Sequence, residues 1–170
     1  ATAWVQRRSG IGVPRAAAFA ALGVRPFEVV ATEGNLLTTA GLTRLQSLLL
    51  GAGGQAATNT SSRLGTGNGA GTAAVGDTDL SASAGSTNRW FQAMDATFPS
   101  ASGAVATFKA TFASGDGNYA WNEWGIDIGT PTVASSAVVG ATLLNHKTSA
   151  ALGTKTAGST WALTVTITIS

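Results

Sequence analysis

The sequence contains no cysteine, so neither a disulfide framework nor a thiolate metal site can form. It has one histidine, His146, which excludes a two-histidine metal centre. Charge is scarce: 11% of residues are charged, against roughly 25% in an ordinary domain. A surface of small hydroxylated residues suits a protein whose faces are covered by neighbours, and favours an assembly component over a free enzyme. A Gly/Ala bias in overall composition would account for the same numbers. Long apolar runs are also missing. The longest, Ala16 to Leu22, falls far short of the roughly 20 residues that span a bilayer. Arg7 and Arg8 precede it, but the run is weakly apolar and is followed by Arg25 and Pro26, which is not a signal-peptide layout. The expectation is a soluble, unexported chain with no membrane partner.

With 170 residues, the chain can bury a core without staples, and one domain with a short appended arm is the default. Residues 1–27 carry Arg7, Arg8, Arg15 and Arg25 with no acid before Glu28. They read as a basic, Gly- and Pro-punctuated arm able to lie across an acidic partner surface. Aromatic interleaving is thin there, with Trp4 and Phe19 only, so docking onto protein is favoured over nucleic-acid contact; an idle solvated tail is the plain alternative. Residues 28–170 form the β-rich domain, and deleting 1–27 is expected to leave its fold intact.

The stretch Ala104 to Ile128 organises that domain. Ala106, Phe108, Ala110 and Phe112 alternate with Thr107, Lys109 and Thr111, and Asn122, Trp124, Ile126 and Ile128 alternate with Glu123, Gly125 and Asp127. Ser114 to Asn118 supplies Gly, Asp and Asn for a tight connection, which predicts a β-hairpin with an aromatic core face. A strand over Asn88 to Ala96 would make it a three-stranded meander. Leu143 to Lys147 reads as another strand. Trp161, Leu163, Val165, Ile167 and Ile169 alternate with Ala162, Thr164, Thr166 and Thr168; so regular a strand must be paired, inside the sheet or with another subunit. A helix is predicted near 39–50, capped by Thr38 or Thr39 and ended by Gly51, with Leu42, Leu45, Leu48 and Leu49 expected to pack on the sheet. The fold class is therefore mainly β: an antiparallel sandwich or barrel-like domain with one α-helix and an extended N-terminal arm.

Candidate chemistry is thin. Gly65, Gly67, Gly69 and Gly71 match neither a dinucleotide fingerprint nor a P-loop, so residues 51–88 read as a low-complexity, flexible loop with one strand-like insertion around Ser62 to Gly65. Asp77 and Asp79 could give two oxygens to calcium, which takes about six or more; turn and cap roles are favoured. Asn59-Thr-Ser61 is a glycosylation sequon without meaning in an unexported protein. No Gly-x-Ser-x-Gly elbow accompanies His146, which is expected to face solvent from its strand. Glu123 and Asp127 share a strand face about 13 Å apart, too far for a glycosidase pair. Neither enzymatic activity nor a cofactor is expected.

Glu33-Gly34-Asn35-Leu36-Leu37, Gly41-Leu-Thr-Arg44-Leu45, Arg63-Leu-Gly65-Thr-Gly67, Ala93-Met-Asp95, Phe108-Lys-Ala-Thr-Phe112, Trp121-Asn-Glu-Trp-Gly125, Leu152-Gly-Thr-Lys155 and Trp161-Ala-Leu-Thr-Val165, in this order, resemble a family of small virion structural proteins of tailed bacteriophages. The resemblance runs from about residue 28 to the end and covers the arm least. It implies a place in the virion, and assigns no catalytic residue. The first expectation is a capsid decoration protein, a homo-oligomer with a trimer among its arrangements, bound to the major capsid protein through the arm arginines and by strand addition. A tail, collar or fibre-base protein is the alternative within the virion. A carbohydrate-binding module is the alternative of another class, with Trp90, Tyr119, Trp121, Trp124 and Trp161 as stacking platforms; core packing of those rings is favoured.

Overall fold

The computed structural model describes residues 2–8, 27–129, 135–140 and 143–169, with backbone alone at 2–8, 27–29 and 33. Its strands are β1 (Thr2–Arg8), β2 (Phe27–Glu33), β3 (Leu36–Leu37), β4 (Ser62–Gly67), β5 (Arg89–Ala93), β6 (Ser100–Ser102), β7 (Val105–Phe112), β8 (Glu123–Ile128), β9 (Leu143–Lys147) and β10 (Thr160–Thr168). Among the described residues there is one helix, α1 (Thr39–Leu49), between β3 and β4. The first sheet has the order β2-β1-β10-β7-β6 and the second β3-β9-β8-β4-β5. All pairings are antiparallel. The protein is thus mainly β, a two-sheet sandwich rather than a closed barrel.

Period-2 patterning explains which faces meet. On β7 and β10, Phe112 pairs with Trp161, Ala110 with Leu163 and Phe108 with Val165, and all six are buried. Trp124, Ile126 and Ile128 of β8 and Leu64 of β4 join them in one apolar cluster. Trp121 is its hub. The ring packs edge-on between Phe112 and Trp161, with centroids 4.6 and 5.0 Å away, and its Nε1 donates to Gly117 O at 2.8 Å. The orphan indole donor is satisfied without loss of burial.

The two arms of 104–128 do not form the expected hairpin. β7 belongs to the first sheet and β8 to the second, and the intervening chain crosses the core. After the turn, Trp121 N donates to Gly153 O and accepts, through its carbonyl, from Leu152 N, so this segment pairs with residues near 152 and not with β7. The place beside β7 is taken by β10. Gly117 sits in the turn at φ +64°, and a Cβ there would stand 3.2 Å from the Phe112 ring. Lys155, 1% exposed, ties the crossover down by donating to Ala113 O at 2.7 Å and Asn118 Oδ1 at 2.8 Å. The meander fails for the same reason: β5 lies in the second sheet, and the hairpin that exists is β6 with β7, turned at Gly103.

The basic segment also differs from a free arm where it is described. Thr2–Arg8 runs as an interior strand, paired over its whole length with both β10 and β2. The terminal strand β10 is accordingly paired on both sides, within the sheet.

Candidate functional site

The outer face of the second sheet should be its wet face, yet every residue of β4 and β8 is buried. Two loop segments cover it. One is a strap, residues 68–88, expected to be flexible; it packs Leu80 against Phe91 and Leu143. The run of glycines is what lets it approach. A Cβ on Gly67 would meet Glu123 Oε1 at 2.3 Å, one on Gly69 the Ala82 N at 2.6 Å, and one on Gly65 the Phe91 ring at 2.5 Å. The second cover is the segment around Ser136, which bridges to Phe91 in both directions.

Under the strap, polar side chains are paired in a line. His146 Nε2 lies 2.9 Å from Glu123 Oε2, and Nδ1 lies 2.6 Å from Asp77 Oδ2. Glu123 also accepts from Ser81 N, Ser81 Oγ and Ala82 N. His146 is 1% exposed and Glu123 0%, so the expected outward-facing histidine is a buried one. The cause is the strap, which covers the outer face on which His146 stands, opposite Gly125; β9 also carries a β-bulge, where Ile126 pairs with Asn145 but Asp127 with Leu143, and Leu144 is the extra residue. Asn145 Oδ1 accepts from Ile126 N at 3.1 Å at the irregularity.

Burial alone would lower the His146 pKa, but hydrogen bonds to Glu123 and Asp77, and then their charges, raise it above the ordinary value. Burial would raise Glu123, and its bonds to His146, Ser81 and Ala82 outweigh that and hold it low. Asp77 is likewise lowered: against a burial effect that raises it, the Ala74 amide and His146 prevail. The group is a histidine held between two carboxylates, and each of the three shifts runs toward the charged form. The Ser81 hydroxyl donates its hydrogen bond to the Glu123 carboxylate, not to the ring. The arrangement pins the strap to the sheet. Beside it lies an open cleft of about 270 Å³ bordered by Asn35, Thr72, Lys147 and Thr148.

The remaining buried charges also hold covers in place. Arg63 donates through Nε and Nη2 to Asp127 Oδ2, and reaches Ser136 Oγ and Val138 O. Arg89 bonds Asp79 Oδ2 at 2.7 Å and Ala137 O at 2.8 Å. Glu123 and Asp127 thus share a face as expected, each with its own cation. Asp77 and Asp79 serve different partners and do not converge on an ion. Among the described residues, no three His, Asp or Glu side chains are grouped to hold a metal. Tyr119, Trp121, Trp124 and Trp161 are core residues; Trp90 is half-buried, its Nε1 donating to Gln92 Oε1. Of the arginines expected to bind a partner, Arg7 and Arg8 lie on β1, opposite Trp161 and Thr160. Arg15 and Arg25 lie outside the described residues.

The helix supplies the second feature. Thr38 caps it, its Oγ1 accepting from Gly41 N and donating to Leu143 O, while Thr38 N bonds Leu144 O. Gly41 is the one buried residue of α1; a Cβ there would fall 2.1 Å from Leu144 O. The less exposed positions that follow are Arg44, whose Nη1 donates to Gln55 O, and Ser47. Leu42, Leu45, Leu48 and Leu49, expected against the sheet, are 47%, 41%, 39% and 85% exposed, and Leu50 78%. The close contact at Gly41 fixes the rotation of the helix and leaves its leucines outside. Helical periodicity reveals an apolar face, but not the direction in which it points.

Comparison of the chain with protein-family models, curated proteins and solved structures gave no match.

Proposed function

We propose that this chain is a structural protein of a tailed-phage virion, and specifically a capsid decoration protein bound to the major capsid protein. The observation that carries the reading is the kind of surface the molecule presents. In a chain already poor in charge, Arg63, Arg89, Glu123, Asp127 and Lys155 are all buried, while a row of leucines is exposed. Such a surface favours being covered over diffusing free. The motif resemblance supports the virion as the place. The role is non-enzymatic, since the one histidine cluster serves to pin a loop.

Quantitative mass spectrometry of purified particles tests this. Copies in a fixed ratio to the major capsid protein, in the hundreds by order of magnitude for a lattice-covering protein, are expected. A handful per particle would move the chain to the tail or collar, and absence from the particle would sink the reading. The carbohydrate alternative has lost most of its platform, with four of its five rings buried. Acrylamide quenching unaltered by added polysaccharide is the expected result.

A further inference from the structure

We infer that Lys155 and Asn118 are the two ends of an intramolecular isopeptide bond, formed within the folded chain from the lysine amine and the asparagine side-chain amide with release of ammonia. The inference goes beyond the virion reading and does not depend on it. It starts from a buried cation without a bonded carboxylate. Lys155 is 1% exposed, and its Nζ donates to two neutral oxygens, Ala113 O at 2.7 Å and Asn118 Oδ1 at 2.8 Å. Among the described residues no carboxylate stands within ion-pair distance of it, whereas Arg63, Arg89 and His146 each have one. A buried charge without such a partner is costly, and burial favours the neutral amine. Burial accordingly lowers the Lys155 pKa, and the charge of Asp116 opposes this only in part. A lysine amine freed of its proton is a nucleophile.

The backbone holds this amine against the amide. Lys155 N donates to Tyr119 O at 3.0 Å, Trp121 N to Gly153 O at 2.8 Å and Leu152 N to Trp121 O at 2.9 Å, and Ala120 bridges to Thr154. This short antiparallel ladder sets residue 155 beside residue 118 whatever the two side chains do. Asn118 is fixed at its other end as well: Nδ2 donates to Ser114 O at 2.9 Å, which turns Oδ1 and the carbonyl toward Lys155. Reacting groups held at roughly 3–3.5 Å gain the high effective concentration of an intramolecular reaction. The ammonium first gives one proton to Asp116, the carboxylate whose charge acts on it. The free amine then attacks Asn118 Cγ, forming the new C–N bond. A second proton passes from the attacking nitrogen to the amide nitrogen, the old C–N bond breaks, and ammonia leaves and takes up the proton held by Asp116. No electron is gained or lost. Asn118 is half-buried, so the ammonia has a way out. The product replaces a buried cation with a neutral amide, and it joins the crossover between β7 and β8 to the segment before β10 in a chain that has no cysteine.

Mass spectrometry of the full chain, as wild type, Lys155→Met and Asn118→Ala, after prolonged incubation at mildly alkaline pH, is the test. Wild type is expected about 17 Da below the mass of its sequence, the loss of one ammonia, and both variants at full mass. Trypsin should then leave the peptide Ala110–Lys147 joined to Thr148–Ser170, because an acylated Lys155 is not cut. Fragmentation of that pair should place the link at residues 118 and 155. The linked wild-type peptide decides the matter even if a variant fails to fold. Wild type at full sequence mass would overturn the inference. The same loss with trypsin still cutting after Lys155 would overturn it equally, since that marks an asparagine closed onto its own backbone and not a cross-link. So would a loss that persists in Lys155→Met.

Discussion

His146 is where a single side chain decides most. Replacing it with Gln leaves Glu123, 0% exposed, without its cation, although Ser81 and Ala82 still donate to it. Removal of one partner from a buried ion pair costs about 3 kcal/mol, and urea unfolding of His146→Gln should show a loss of that order. The pH dependence has a definite sign. A histidine whose folded pKa is raised above 6.5 adds stability that is complete below 6.5 and fades as pH rises through the folded value. Glu123 and Asp77, lowered from 4.5 and 3.8, add stability that is present above those values and fades as pH falls through the lower folded ones. Unfolding free energy should therefore peak between about pH 4.5 and 6.5, and His146→Gln should lose the decline on the alkaline side. An NMR titration of His146 with a midpoint below 6.5 would contradict the pin. None of this was legible in Leu143-Leu-Asn-His-Lys147, because the cover over His146 comes from a strap whose Asp77 stands 69 residues away in sequence, and local alternation shows neither that strap nor the one-residue bulge. A partial signal lay elsewhere: glycine at 65, 67, 69 and 71 fits no nucleotide loop, and marks a backbone brought down onto Glu123 and Phe91.

Elements were far more legible than their neighbours. The helix, β9 and β10 stand close to where periodicity put them, because the 3.6 and 2.0 repeats are local properties of the chain. Pairing is not local. Nothing in Phe108 to Phe112 says that its partner is Trp161 rather than Trp124, and turn-forming residues at 114–118 serve a crossover as well as a hairpin. The direction of the leucine face was hidden for a related reason: it is decided by Gly41 against the Leu144 carbonyl, a contact between distant parts of the sequence. This contact makes a contrary prediction. Glycine to alanine within a helix ordinarily gains about 1 kcal/mol, but the Gly41→Ala methyl would lie 2.1 Å from a backbone oxygen. Overpacking of this kind costs about 1–3 kcal/mol, and partial undocking of the helix adds to it. Gly41→Ala should be net destabilised by about 1–2 kcal/mol in urea, with Thr38 N more rapidly exchanged. A neutral or stabilised variant would mean that α1 is loosely held.

For the whole molecule, the fold class followed from composition and alternation, while the standing of the first residues did not. A charge-rich, Gly- and Pro-punctuated opening reads as an arm, yet Thr2–Arg8 is the bridge between β10 and β2. A strand whose sequence is short on apolar residues can still be interior to a sheet when its neighbours supply the hydrogen-bonding edges. The consequence bears on how partner binding is tested. Removing residues 1–8 strips one edge of β10 and leaves β2 without its neighbour, exposing the regular Trp161 to Ile169 strand for intermolecular pairing. The truncated chain should lose its cooperative thermal transition and move to large species by light scattering, so a loss of capsid binding in it would say nothing about arginine. Arg7→Ser with Arg8→Ser keeps the backbone ladder and removes two charges. If those side chains dock the protein onto an acidic shell, this variant should fold as wild type does and bind capsids more weakly, with a shallower salt dependence. Unchanged capsid binding at low salt would remove Arg7 and Arg8 from the interface.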